Sequence, residues 1–269
     1  MKFTVLGAGG FIGRQLTSHL QREGHAVVAL RRGDAMPADH LGHVIYCIGL
    51  TGDFRSHPFE TVQAHVTLLS DVLERADFES FLYLSSTRLY ARASSSCETT
   101  VVPTSPLDPS DLYNLSKLMG ESLCLACRPT TRIARLSNVV GFDPGSANFL
   151  SCLIEEALQG RIELQSSLES EKDYVAIDDV VTMLPKLATQ ARERIYNLAS
   201  GRNVRNADIT ARLQSLTGCA VAVRDGAPVQ SFPPICIDRA VGEFGFAPGD
   251  PLDRLPALVE AYRRPAVVG

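Results

Sequence analysis

The chain opens with Phe3-Thr-Val-Leu-Gly7-Ala-Gly-Gly10-Phe-Ile-Gly13, and this stretch narrows the possible folds more than any other. Phe3 to Leu6 is a short apolar run that reads as a strand. The glycines at 7, 10 and 13 make a turn, and Ile12, Leu16 and Leu20 then fall on one face of a helix. Gly7 permits the tight turn, Gly10 lets the backbone approach a pyrophosphate, and Gly13 lets the helix pack on its strand. The free N–H groups and positive end of the helix dipole then face the phosphates. The spacing is Gly-x-x-Gly-x-x-Gly. Its place between a strand and a helix gives it weight that a glycine motif alone lacks.

The 269 residues suffice for one large α/β domain, or for a main domain with a smaller one, and 45% of them are hydrophobic. A net charge of −4 without a basic stretch argues against a nucleic-acid partner. No apolar run has the length of a membrane span, and with the first strand beginning almost at Met1 no signal peptide is expected. The seven cysteines are odd in number and scattered. Cys124 and Cys127 lack a second pair to complete a zinc site, so no metal is expected, and a reducing, cytoplasmic location is.

Further strands are expected at Ala26–Leu30, read as buried, and at Val44–Ile48, Phe81–Leu84 and Thr131–Leu136. Between them, a helix over Phe59–Ala76 places Val62, Val66, Leu69 and Leu73 inward, and another carries Tyr113-Asn-Leu-Ser-Lys117. Prolines 103, 106 and 109 mark a loop before it. This alternation predicts a Rossmann-like doubly wound parallel sheet with helices on both faces. After Gly141 the elements shorten. A helix over Phe149–Leu158, strands at Ile162–Leu164 and Val175–Ile177, a helix capped by Asp178, and a strand at Ile195–Leu198 are expected. A helix over Ala207–Leu216, a strand over Ala220–Val223 and a last helix over Leu252–Arg263 follow. The division is a cofactor-binding domain over residues 1–140 and a smaller α/β substrate-binding domain over 141–269, with a segment around 174–200 returning to the first.

The second strand ends at Arg31-Arg32. An acid here would bind the ribose 2′-hydroxyl of NAD, whereas arginine accommodates the 2′-phosphate of NADP, which a guanidinium can grip through two hydrogen bonds. NADP(H) is the preferred cofactor on this reading, with NAD(H) possible. Tyr113 and Lys117 lie one helical turn apart. A nearby ammonium makes a phenol easier to ionise and turns it into a usable general acid or base. The pair alone decides nothing. It gains meaning from following a glycine turn and a serine-bearing strand end, Ser85-Ser86-Thr87, whose hydroxyls can hold a substrate oxygen.

With these motifs in order, the chain resembles the extended short-chain dehydrogenase/reductases, the NAD-dependent epimerase/dehydratase group that acts on nucleotide sugars. The matching stretches are Gly7 to Gly13, Leu84-Ser-Ser-Thr-Arg-Leu-Tyr90, Tyr113 to Lys117, Arg135-Leu-Ser-Asn-Val-Val-Gly141 and Lys172-Asp-Tyr-Val-Ala-Ile-Asp-Asp179. The resemblance implies that Ser86, four residues before Tyr90, and Tyr113 and Lys117 are catalytic. It implies a cofactor over Gly7, Gly10, Phe11, Ile12 and Gly13, reaching Arg31, Arg32, Ile48, Gly49, Tyr113 and Lys117. It places substrate against Ser86, Thr87, Asn138, Asn148, Phe149 and Lys172, the last standing where the family usually has an arginine for the diphosphate. It also implies a homodimer built on the Phe59–Ala76 and Tyr113–Cys127 helices, with Leu68 and Leu123 among its apolar contacts.

Two departures from the family matter. The stretch from Leu30 to Val44 is too short for the usual strand–helix unit, so that unit is expected to be missing and the adenine side open. Arg88 stands where family dehydratases and epimerising members carry other groups after their catalytic Ser or Thr, which disfavours sugar dehydration and epimerisation of neighbouring carbons. Three functions follow. The first is an NADPH-dependent reductase of a nucleotide-linked keto-sugar. The second is a nucleotide-sugar 4-epimerase holding NAD tightly, and the third a dinucleotide-binding sensor or scaffold without turnover.

Overall fold

The structure is a computed structural model and describes residues 1–37, 39–50, 52 and 54–264. In chain order it runs β1 (Lys2–Leu6), α1 (Phe11–Arg22), β2 (Ala26–Leu30) and β3 (His43–Tyr46). A helical stretch follows, made of α2 (Pro58–Val62), a π-helical turn (Gln63–Thr67) and α3 (Leu68–Arg75). Next come β4 (Ser80–Ser86), a 3-10 turn (Thr87–Arg92), α4 (Asp111–Cys127), β5 (Thr131–Leu136) and β6 (Asn138–Val140). The rest is α5 (Phe149–Leu158), β7 (Arg161–Leu164), β8 (Glu171–Ala176), α6 (Ile177–Gln190), β9 (Ile195–Leu198), β10 (Asn203–Arg205), α7 (Asn206–Thr217), β11 (Ala220–Val223), α8 (Asp238–Phe244) and α9 (Pro251–Arg263).

Six strands form the main sheet in the order β2-β1-β3-β4-β5-β9, all parallel. Such a sheet must be covered on both faces. One face packs on α1 and α6 through Leu16, Leu20, Val180, Leu184 and Leu187. The other packs on α3 and α4 through Leu69, Leu73 and Cys124. The sheet order reverses between β1 and β3, and a parallel sheet opens its ligand crevice there, beyond the carboxyl ends of the strands. A separate apolar cluster joins α5, α7 and α9 to the short strands β7 and β8 through Leu153, Ile162, Tyr174, Leu213 and Val259. Phe149, packed against it, lines that crevice.

As expected from the short stretch, no strand or helix intervenes between β2 and β3 among the described residues, and β2 is an edge strand. Other expectations are corrected. The β2 strand is half-buried to exposed rather than buried, because nothing packs outside it. The helix expected over Phe59–Ala76 is interrupted by the π turn. Thr61, His65, Leu69 and Leu73 face inward, while Val62 is exposed and Val66 half-buried. The wider turn keeps positions four residues apart on one face, which an unbroken α-helix would let drift. Asp178 does not cap α6; Ala176 holds that position without a side-chain bond, and Asp178 lies in the first turn. Ile177 is helical, so the strand before it ends at Ala176.

One buried ion pair ties the site-bearing helix to the sheet. Arg135 on β5 donates Nε to Glu121 Oε1 at 2.9 Å and Nη2 to Oε2 at 2.6 Å, and Nη1 to the Tyr90 hydroxyl at 2.6 Å. Tyr90 in turn donates to Asn197 Oδ1 at 3.0 Å. Both charged side chains are almost wholly buried. Arg135→Met leaves the Glu121 carboxylate without its partner and is expected to cost about 3–5 kcal/mol in urea unfolding. The double variant with Glu121→Met should regain most of that loss, since an apolar pair of similar volume replaces a buried ion pair cheaply.

Candidate active site

The carboxyl ends of β1, β3, β4 and β5 open into one cleft of about 630 Å³. Its cofactor end is the glycine turn. Gly7 has φ +84°, and a Cβ on Gly13 would fall 2.2 Å from the Gly7 carbonyl oxygen, so both positions exclude side chains. A Cβ on Gly10 would meet only that same oxygen, at 3.4 Å, leaving its outer side free for a close-approaching ligand. No side chain caps α1, so its first N–H groups are left for an anion. Phe11 and Ile12 continue the wall from Gly10. This turn fits a dinucleotide pyrophosphate.

At the end of β2, Arg31 and Arg32 are exposed. The Arg31 side chain runs beside the turn, its Cγ 3.7 Å from where a Cβ on Gly9 would lie. Nothing comparable places Arg32 against the turn. Asp34 adds a carboxylate here that the sequence reading overlooked. Its Oδ2 accepts from the Arg31 amide at 2.7 Å, which brings an acid back to the strand end.

Beyond β3, Ile48 and Gly49 line the cleft. A Cβ on Gly49 would lie 3.5 Å from both His65 Nε2 and Lys117 Nζ. His65, fully buried on the π turn, was not singled out by the sequence. Its Nε2 accepts from the Leu50 amide at 3.2 Å, and its Nδ1 pairs with Ser116 Oγ at 2.9 Å. The ring meets Tyr113 edge-on at 5.3 Å. Ser116 donates to the Tyr113 carbonyl, so Nδ1–H is the donor toward Ser116 and the histidine is neutral. Burial, with the Lys117 charge adding to it, pushes its pKa down to about 2.

The chemistry gathers where β4 ends. Ser86 caps the following 3-10 turn, its Oγ accepting from the Arg88 amide at 3.2 Å. Thr87 begins that turn at the cleft wall. Tyr113, on the first part of α4, is buried between Phe54 and His65. Burial drives its phenol up to about 12, with the Ser86 hydroxyl and the Arg88 charge pulling the other way. Lys117 donates to the Leu84 carbonyl at 2.8 Å and lies over the Tyr83 ring. Arg88 faces the phenol as well, its guanidinium 6.0 Å from the ring centre, and burial leaves the phenol harder rather than easier to ionise than a free tyrosine.

The opposite wall carries Asn138, Asn148, Phe149 and Lys172. Asn138 Nδ2 donates to the Asp173 carbonyl at 2.7 Å. Asn148 caps α5 by accepting from the Leu150 amide, and donates Nδ2 to the Val139 carbonyl at 2.8 Å. Both ends of its amide are thus engaged within the protein. Lys172 lies over the Phe149 ring, its Nζ 5.3 Å from the centre. Phe232 and Ile235, from the stretch before α8, close this wall. Their sequence, Phe-Pro-Pro-Ile, held a loop signal that pointed to no site. Ser85 also lines the cleft, with a buried Oγ that has no partner among the described residues.

Lys117 gives a direct test of this burial. Desolvation lowers it from 10.5 to about 7, opposed chiefly by Glu121. Between those two values the unfolded chain binds the proton and the folded chain does not, so stability rises with pH across that window. Lys117→Met removes that contribution. The stability gap between wild type and variant, read from urea midpoints at pH 6.5, 8.0 and 9.5, is expected to move in favour of wild type as pH rises. A gap independent of pH would contradict the buried, charge-disfavouring environment.

The comparisons with known proteins agree with this fold. The chain aligns with MoeE5 in complex with UDP-glucose and NAD at 23% identity and a TM-score of 0.82, covering 98% of this chain and 99% of that one. It aligns with RMD from Pseudomonas aeruginosa complexed with NADPH at 21% identity and a TM-score of 0.78, covering 97% and 98%. The UDP-glucose 4-epimerase of Thermotoga maritima matches at 19% identity and a TM-score of 0.75, covering 98% and 99%. At these identities the structures establish the Rossmann-type fold. No curated protein matches in sequence. The model of the NAD dependent epimerase/dehydratase family matches residues 3–199, well over half the chain. The protein therefore belongs to that family and is an enzyme of the extended short-chain dehydrogenase type.

Proposed function

We propose that the protein is an NADPH-dependent reductase of a nucleotide-linked keto-sugar. The observation that carries this reading is the Tyr113 phenol, buried beside Ser86 in the cleft that the glycine turn opens. A phenol held up to about 12 is suited to donate a proton to an oxygen that becomes an alkoxide. The nicotinamide, when bound, supplies the hydride. Ser86 orients the substrate oxygen through its hydroxyl. Lys117, fixed on the Leu84 carbonyl, faces the Gly49 side where the nicotinamide ribose would lie. Phe149 and Lys172 would take the nucleotide and diphosphate end. UDP-glucose in MoeE5 and NADPH in RMD support the ligand classes.

One observation favours a second reading, a 4-epimerase with tightly held NAD. Asp34 brings a carboxylate to the end of β2, where an acid would hold the ribose 2′-hydroxyl. Titration of the purified protein, followed by the fluorescence of the reduced nicotinamide, separates the two. The reductase predicts that NADPH binds at least about tenfold tighter than NADH, as expected for charge-assisted contacts to the 2′-phosphate. Arg31→Ala with Arg32→Ala should abolish that preference. A preference for NADH, or NAD that copurifies, rejects the reductase and favours the epimerase.

The enzyme is further proposed to pair with a second copy of itself. Phe59, Val62 and Leu68 on the α2–α3 stretch and Met119 and Leu125 on α4 are exposed apolar side chains on neighbouring helices. Leu123 packs partly against the core of its own chain and contributes less. Light scattering at micromolar concentration is expected to give twice the chain mass, and Met119→Lys with Leu68→Lys should halve it. A monomeric wild type rejects the pairing.

A further inference from the structure

Two cations that line the cleft, Arg88 and Lys172, form no ion pair among the described residues. Arg88 follows Ser86 by two residues, and its guanidinium lies 5.4 Å from the centre of the Phe54 ring and 6.0 Å from that of Tyr113. Its Nε is buried with no hydrogen-bond partner among the described residues. Asp108 and Asp111, whose fields reach it, are already held by Arg92. Burial lowers the guanidinium's pKa, and the neighbouring charge of Arg55 lowers it further. Lys172 is lowered as well, by burial and then by Arg88.

Neither acid of the cleft forms an ion pair with these cations among the described residues. Asp143 accepts from Arg14 Nη2 at 2.7 Å. Asp173 accepts from the amides of Ser200, Gly201 and Arg202 and from the Ser200 hydroxyl. A half-buried guanidinium without an anion costs stability, and such a breach of the usual rule of pairing belongs at functional sites.

Position assigns the two cations to different parts of a ligand. The reacting carbon must lie within hydrogen-bond reach of Tyr113 and Ser86. Arg88 stands at that end, so it faces a substituent close to the reacting carbon. Lys172 stands on the opposite wall against Phe149, at the nucleotide end. The guanidinium's planar fork matches a planar carboxylate, whereas an ammonium serves a phosphate as a point charge.

We propose that the sugar handled by this enzyme carries a carboxylate, as a uronic acid does, and that Arg88 is the residue that selects it. The proposal rests on the nucleotide-sugar reading above and narrows it. Lys172 then serves the diphosphate, which every nucleotide sugar shares. Arg88 serves the group that distinguishes one sugar from another.

Calorimetric titration of the whole chain, with saturating NADP⁺, tests this with two matched pairs: UDP-glucose against UDP-glucuronic acid, and GDP-mannose against GDP-mannuronic acid. UDP and GDP serve as references. The acidic member of the pair whose nucleotide binds is expected to bind at least about tenfold tighter than its neutral partner. Arg88→Met should bring both sugars to one affinity and leave the free nucleotide unchanged. Arg88→Lys, which keeps the charge and loses the fork, should retain part of the difference. Lys172→Met should weaken the free nucleotide and both sugars alike. Equal affinities in the wild-type protein, or a difference that survives Arg88→Met, overturn the role of Arg88 while leaving the nucleotide-sugar reading intact. Failure of both nucleotides to bind, free or sugar-linked, overturns both. Should Arg88→Met not fold, the wild-type comparison and Arg88→Lys decide the matter.

Discussion

The geometry of the site depends on how closely α4 lies against the sheet. Gly120 makes that approach possible: a Cβ there would fall 2.6 Å from the Tyr83 hydroxyl and 2.8 Å from the His65 carbonyl. On either side of Gly120 a charged residue reaches down from the helix. Lys117 ends on the Leu84 carbonyl of β4, and Glu121 on Arg135 of β5. These contacts fix the depth and the rotation of the helix. Tyr113, one turn before Lys117, is then delivered to the end of β4, where Ser86 leaves the sheet. A helix held less closely would carry the same sequence without bringing the phenol to the serine.

The sheet contributes the second half of this arrangement. Because β4 and β5 are paired in register from Phe81 with Thr131 to Ser86 with Leu136, Leu136 opposes Ser86, and the segment after it enters the cleft wall opposite. Parallel strands send all their carboxyl ends to one edge, so groups from β1, β3, β4 and β5 converge although they are far apart in sequence. His65 closes the arrangement from the third side. Its ring joins the loop after β3, through the Leu50 amide, to α4, through Ser116, and supports the Tyr113 ring edge-on.

What the sequence made legible was what short-range physics determines. The Gly7–Gly13 turn, the alternation of strands and helices, and the absence of a unit between β2 and β3 follow from local spacing and length. The stretch from Leu30 to Val44 could not hide a strand and helix, so the edge position of β2 was implicit, yet the strand was still read as buried because Ala-Val-Val-Ala-Leu is uniformly apolar. Hydrophobic periodicity placed Leu69 and Leu73 of α3 inside correctly but misassigned Val62 and Val66 before them, because it presumes an unbroken α-helix. The π turn rephases the inward face so that a threonine and a histidine go inside and a valine goes out. The pairing of side chains was less legible still. The spacing of Tyr113 and Lys117 places both on one face, but it cannot say that the ammonium turns to a carbonyl of β4 or that Arg88, from another element, faces the phenol. Asp34 and His65 gave no signal, since a lone carboxylate in a loop and a lone histidine on a helix acquire meaning only from what folds against them.

The cleft disfavours charge on its own titratable groups. Tyr113 and Cys47 are each driven up to about 12, His65 down to about 2 and Lys117 down to about 7, burial being the largest cause in every case. Each of these shifts favours the neutral form. Arg88 and Lys172, the cleft's cations without an ion-pair partner among the described residues, are lowered by burial as well, with Arg55 adding to the shift on Arg88 and Arg88 to that on Lys172. An environment of this kind is poorly solvating for cations until an anion arrives, and an anion that does arrive meets them at low effective dielectric, where each contact is stronger than in water. The positions of Arg88 and Lys172 are set by the fold before any ligand binds, so no reorganisation is needed to meet developing or resident negative charge. The charge balance of the site is therefore completed by what it binds, and its selectivity lies in where the ligand carries its negative groups.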